Sequence, residues 1–177
     1  MPNLPSDSTQ STHESSPRRE DLEFIGGGVY VVDTKRRVKF PTDWTSSTPD
    51  QVELVLSLIP SGKDGKRSIW GMTRRYLRDI SGRIKEQERE GKLSREQADA
   101  LRHMFIINAK PLRPDVNGRI CLPEDFVKKA GIQREVQLCG NLEWFEVWDR
   151  SAYVEKTPSE EAQKNALDQF FAGNEPK

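Results

Sequence analysis

An α+β fold is predicted, made of two pseudo-symmetric β-hairpin/helix halves that form one compact unit, with intervening and C-terminal helices. Three observations lead to it. Laid over the second half, Asp33, Arg37, Val38, Phe40, Pro41, Asp43 and Trp44 fall on Asp115, Arg119, Ile120, Leu122, Pro123, Asp125 and Phe126 at a constant offset of 82 residues. At the same offset Leu54-Val55-Leu56 overlays Val136-Gln137-Leu138, so strand character follows the motif in both copies. Between the copies, apolar residues recur at helical rather than strand spacing. A motif that returns at a fixed offset marks one supersecondary unit used twice.

The elements follow in order. Residues 1–22 are rich in Ser, Thr, Pro and charge with almost nothing apolar to bury, so they are expected as a disordered tail. The first half spans 23–71. It opens where Gly26-Gly27-Gly28 leads into Val29-Tyr30-Val31-Val32, a β-branched and aromatic run that reads as a strand. Pro60-Ser61-Gly62-Lys63-Asp64-Gly65 is an insertion that forms a hairpin turn and corresponds to the tighter Gly140-Asn141 turn of the second copy. A helical connector covers 72–104, with Met72, Tyr76, Leu77, Ile80 and Ile84 in one stripe and Arg74, Arg75, Arg78 and Lys85 largely off it. Ser94 and Gln97 form a capping box for a second helix that turns Ala98, Leu101 and Phe105 inward. The second half spans 105–153, with Phe126 to Ala130 as a short helix stopped by Gly131. Residues 154–177 are a C-terminal helix and tail, the helix starting at Ser159 with Glu160 and Glu161 favourable in its first turn.

Bulk properties exclude several classes. Lys+Arg and Asp+Glu both number 28, so any polyanion-binding field must be local. No apolar stretch approaches the ~20 residues that span a bilayer, and Met1 to Glu20 lacks the apolar centre of a secretory signal. A cytoplasmic protein without a membrane partner is expected. Cys121 and Cys139 sit among apolar strand residues and read as buried reduced thiols. With His13 in the tail and His103 in a helical stretch, the cysteines and histidines do not make a zinc site. Neither a metal nor any other cofactor is expected, and no small-molecule substrate is indicated.

The repeated element, Asp-x-x-x-Arg followed by apolar-x-apolar-Pro, carries the chemistry. A carboxylate at the start of a turn accepts hydrogen bonds from backbone N–H groups two or three residues on, so Asp33 and Asp115 are expected to fix hairpin or crossover turns. Gly118 supplies the left-handed conformation that a tight reversal often demands, and Asn117 beside it tolerates such geometry. Each Asp also holds its Arg by a charge-assisted bond, which leaves the guanidinium preorganised at the rim. Lys35, Arg36, Arg37 and Lys39 crowd the first turn against the single acid Asp33, whereas the second has only Arg113 before it and Arg119 within it. A two-stranded ribbon fits the DNA major groove, where Arg and Lys meet guanine and flanking cations meet phosphate. The DNA-contacting set is therefore Lys35, Arg36, Arg37, Lys39, Arg113, Asn117 and Arg119, with the first turn dominating affinity.

The paired motifs, the stretch Asp115-Val116-Asn117-Gly118-Arg119-Ile120-Cys121-Leu122-Pro123, and Glu143-Trp144-Phe145-Glu146-Val147-Trp148-Asp149 together resemble the MraZ family of transcriptional regulators. The likeness covers roughly Phe24 to Tyr153. It implies AbrB-like (double-psi/swapped-hairpin) halves, ring-shaped homo-oligomers, and a nucleoid-associated repressor of the division and cell-wall gene cluster that binds short repeated upstream sites. In that family the basic residues of the turn contact DNA, which by position carries over to Lys35, Arg37 and Arg119. Members usually have Gly just before the first-motif Arg, where this chain has Arg36. If that position needs positive φ, the residue costs on the order of 1 kcal/mol.

Plainer readings stand beside these. A cluster such as Lys35 to Lys39 is most often a solvated turn, and Arg74, Arg75 and Arg78 could extend the basic surface but are better read as the wet side of an amphipathic helix. Asp33 and Asp115, each beside an Arg and a turn backbone, stay ionised and do not suit proton donation, so an enzyme is not indicated. Trp144, Phe145 and Trp148 are better placed in a core or a subunit interface than stacked on bases. The alternative function is a non-enzymatic protein-interaction module or antitoxin-like regulator whose C-terminal helix grips another protein.

Overall fold

The β-branched run after the triple glycine forms β1 (Gly27–Val31), and the motif that follows forms the short β2 (Arg37–Lys39) and a 3-10 turn at Thr42–Trp44. This computed structural model describes residues 22–44, 52–61, 65–156 and 158–172. Residues 1–21 of the expected tail and residues 62–64 of the expected hairpin turn lie outside them. A long hairpin, β3 (Leu54–Pro60) and β4 (Arg67–Thr73), leads into α1 (Arg74–Arg89), α2 (Arg95–Arg102) and a π-helical turn at His103–Ile107. The second copy supplies β5 (Lys110–Leu112), β6 (Arg119–Cys121), α3 (Glu124–Ala130), β7 (Glu135–Gly140) and β8 (Trp144–Asp149), followed by α4 (Arg150–Lys156) and α5 (Glu160–Ala172). Among the described residues the architecture is mixed α+β with antiparallel pairing and five α-helices.

Two sheets result. Six strands run in the order β1-β7-β8-β4-β3-β5, and β2 pairs with β6 in a separate ribbon. Strand β1 therefore pairs with β7 from the other copy of the motif, while β5 pairs with β3 from the first. The Asp33 and Asp115 turns are crossovers between sheets, which resolves the choice left open by the sequence. The ribbon is built from one strand of each copy rather than from one hairpin, with Val38 opposite Ile120.

The core lies between these layers. Val38, Phe40, Ile120 and Leu122 point inward from the ribbon segments and meet Leu54, Leu56, Leu138 and Val147 of the large sheet. At its centre Phe24, Phe40, Trp44 and Phe145 pack with centroids 5.1 to 6.3 Å apart, mostly edge to face. Phe145 fits because Gly71 lies opposite it: a Cβ on Gly71 would come within 2.0 Å of the ring. On the other face of the sheet, Trp144 stacks between Trp70 (5.0 Å) and Tyr76 of α1 (5.7 Å). The aromatic strand β8 is thus consumed by the fold, with Phe145, Val147 and Trp148 fully buried.

Helix α2 has the Ser94–Gln97 capping box, and α3 ends on Gly131 in the left-handed conformation at φ 68°. Ser159 Oγ accepts from Ala162 N at 3.2 Å at the start of α5. Met72 differs, because it is a β4 residue facing Trp144, and α1 begins only after Thr73, whose hydroxyl caps Tyr76 N. Phe105 lies in the π-helical turn, edge-on to Trp70. The sequence reading contained no helix at Arg150–Lys156, where α4 packs on the hairpin ends. Among the described residues no helix is long and apolar enough to cross a membrane.

Candidate nucleic-acid interface

The two crossover turns are built by the same hydrogen bonds. Asp33 Oδ1 accepts from Lys35 N and Arg37 N, both at 2.8 Å, and Oδ2 accepts from Arg37 Nε at 2.7 Å. Asp115 Oδ1 accepts from Asn117 N and Arg119 N, both at 2.9 Å, and Oδ2 accepts from Arg119 Nε at 2.9 Å. Backbone bonds close the loops identically: Arg36 N donates to Asp33 O and Gly118 N to Asp115 O, each at 2.8 Å. One carboxylate thus satisfies two turn amides and orients one guanidinium, and each arginine remains half-exposed.

These contacts set the charge state. The N–H of Arg37 holds the Asp33 carboxyl below its ordinary 3.8, with desolvation opposing and the Arg37 side chain and Lys35 N–H assisting. For Asp115, desolvation pushes upward, but the combined bonds from Arg119 and Asn117 hold the carboxyl below 3.8. Both aspartates are acceptors at neutral pH and have no proton to give.

Arg36 occupies the position of Gly118, and its backbone is left-handed as well: φ is 61° at Arg36 and 65° at Gly118. The first turn has kept its shape and carries the strain of a non-glycine residue. Arg36 O accepts from Leu122 N and Gly118 O accepts from Phe40 N, each at 2.9 Å, so each turn is tied to the strand leaving the other. Lys39 Nζ donates to Asn117 O at 2.8 Å and carries first-copy charge onto the second turn. Lys35, Arg36, Arg37, Lys39, Asn117 and Arg119 are thereby gathered around one ribbon. Arg113 lies at the end of β5, in an ion pair with Glu53. Sequence reasoning missed this partner, and it favoured the wet face of the connector helix for Arg74, whose Nε lies 3.3 Å from the same carboxylate. The Arg113 contact arises from β3–β5 pairing across the two copies, and the Arg74 contact from the β3–β4 hairpin, where Leu54 faces Thr73.

Cys121 departs from the expectation of a buried thiol. In β6 the inward position belongs to Ile120, so alternation turns Cys121 outward, where its thiol reaches Lys35 O at 3.5 Å. Cys139 is half-buried, and neither cysteine is in a disulfide. Among the described residues no group of three or more His, Cys, Asp or Glu is arranged to hold a metal.

A small mixed α+β protein that presents two aspartate-clamped, arginine-bearing turns on a cross-paired ribbon is the class that this fold and site define. Residues 105–170 match the family model described as "MraZ protein, putative antitoxin-like". The chain is 27% identical over 150 residues to the transcriptional regulator MraZ of Arthrobacter sp. (strain FB24), which covers 85% of this chain and 98% of that protein. It is 34% identical over 80 residues to the protein of that name in Kocuria rhizophila, covering 45% of this chain and 56% of the relative. To that of Clostridium acetobutylicum it is 23% identical over 136 residues, covering 77% and 88%. The chain is similar to the MraZ family over residues 105–170 and, at lower identity, over most of its length.

Proposed function

We propose that this protein is a sequence-specific DNA-binding transcriptional regulator that reads short repeated sites upstream of the division and cell-wall gene cluster and represses it. The observation that carries the reading is the pair of identically clamped turns joined by the β2–β6 ribbon. Arg37 and Arg119 are the base-reading candidates, since each guanidinium is held by a carboxylate yet stays half-exposed. Lys35, Arg36, Lys39 and Arg113 supply the sequence-independent attraction to phosphate, and Asn117 is an adaptable polar contact.

The same reading makes the chain two AbrB-like swapped-hairpin halves, 23–71 and 105–153, joined by a connector at 72–104. Its support is the strand exchange: β1 pairs with β7, and β5 with β3, in the order β1-β7-β8-β4-β3-β5. Exchanging the strands of one copy for their counterparts reverses that order without altering it. A closed, nucleoid-associated homo-oligomer would set several such ribbons against several repeats, so that weak single contacts add by avidity.

A gel-shift titration of the protein with the DNA upstream of its own gene, repeated at rising salt, tests this. Retention that falls steeply with salt is expected, because phosphate contacts release counterions. A second reading, a partner-binding antitoxin-like regulator, is favoured by the family description and by α5, whose described side chains are all exposed, Leu167 and Phe170 included. On that reading no DNA is retained at moderate salt.

A further inference from the structure

Glu53, the residue before β3, is shared by two arginines from different elements. Arg113 at the end of β5 pairs with Oε1, and Arg74, the first residue of α1, pairs with Oε2 at 3.3 Å. One negative charge against two positive leaves a net cation. The arginine side chains are 60% and 64% exposed and line an open notch of about 120 Å³ with Leu54, Pro111 and Leu112. Helix stability does not account for Arg74, because a cation in the first turn is opposed by the helix dipole, and Thr73 already caps that end. The notch adjoins the second turn, since only Pro114 separates Arg113 from Asp115.

We propose that Arg74 and Arg113, spread apart by Glu53, form a phosphate-binding site that engages the DNA backbone beside the second turn. The inference rests on the DNA-binding reading and extends it to a residue of the connector. It answers an imbalance: the first turn carries Lys35, Arg36 and Lys39 besides its clamped arginine, while the second carries none of its own beyond Arg119. The second turn therefore draws its phosphate contacts from neighbours, Lys39 on one side and the arginine pair on the other. Glu53 preorganises both guanidiniums in place of solvent, and a phosphate oxygen in the notch would accept from their remaining N–H groups. At the opposite side of the sheet Arg150, the first residue of α4, meets Glu135 at 3.4 Å, but the β1 residue beside it is Val31, so no arginine pair forms there.

The test compares wild type, Arg74→Ala, Glu53→Gln and Arg37→Ala on the native upstream duplex and on a random duplex of equal length, by fluorescence anisotropy over a range of salt. Arg74→Ala is expected to weaken binding to both duplexes by roughly 3- to 10-fold and to lower the salt slope by about one. Glu53→Gln keeps both arginines and an acceptor oxygen between them while removing the negative charge, so it should bind both duplexes more tightly. It also reports on the site if Arg74→Ala fails to fold. Wild-type affinity and slope in Glu53→Gln and Arg74→Ala, alongside a loss in Arg37→Ala, would make the pair a structural bridge and overturn the site alone. No binding of either duplex by wild type would overturn the DNA-binding reading and this site with it.

Discussion

Arg36 and Gly118 share one backbone conformation, left-handed at φ 61° and 65°, at equivalent places in two turns closed by the same hydrogen bonds. For Gly118 that conformation is free of Cβ conflict. For Arg36 it is not: its Nε makes a long 3.3 Å bond to Leu122 O and its charge lies near Glu124, contacts that offset the backbone strain only in part.

Arg36→Gly should therefore stabilise the protein by about 1 kcal/mol, a rise of about 2–4 °C in melting temperature for a chain of this size. The same variant should bind DNA less tightly, with a salt slope smaller by about one. Thermal melts and anisotropy on one preparation check both signs. Lower stability in Arg36→Gly would show that the side chain supports the turn rather than straining it.

Acid should loosen the turns. Asp33 and Asp115 both have carboxyls held below 3.8 in the folded protein, so their contribution is fully present above that pH and is lost as pH falls through the lowered folded values. Asp33→Asn and Asp115→Asn remove part of that dependence. Melting temperature followed from pH 7 down to pH 3 should fall less steeply in the double variant than in wild type.

Gly71→Ala should be strongly destabilising, because the new methyl would overlap the Phe145 ring that fills the centre of the core. A loss of about 1–3 kcal/mol is expected from overpacking, read from the urea midpoint at unchanged slope. Phe145→Ala should cost more, about 3–5 kcal/mol. Combining the two should not restore stability, since the cavity far exceeds one methyl group.

What the sequence made legible was local or repetitive. Asp33 and Asp115 announce their turns through short-range hydrogen bonding, Ser94 and Gln97 announce a helix start, and Gly131 a helix end. The register of the copies was visible because 82 residues separate Val38 from Ile120, which then face each other across the ribbon. Strand partnership was not visible, because β1 finds its mate more than a hundred residues away and no local signal specifies it. For the same reason Glu53 could not be connected to Arg113, which the β3–β5 pairing across the copies brings to it. Met72 was drawn into a helical stripe because β4 runs directly into α1, so period-2 and period-3.6 patterns meet at Thr73.

The proposed DNA recognition rests on Arg37 and Arg119 as groove-reading side chains. The most direct measurement is the affinity of Arg37→Ala, Arg119→Ala and the double variant for the native upstream duplex against a random duplex at fixed salt. Each single change should cost about 1–3 kcal/mol on the native duplex and much less on the random one, with Arg37 the larger. Equal affinity of all four proteins for the native duplex, with folding intact, would contradict it.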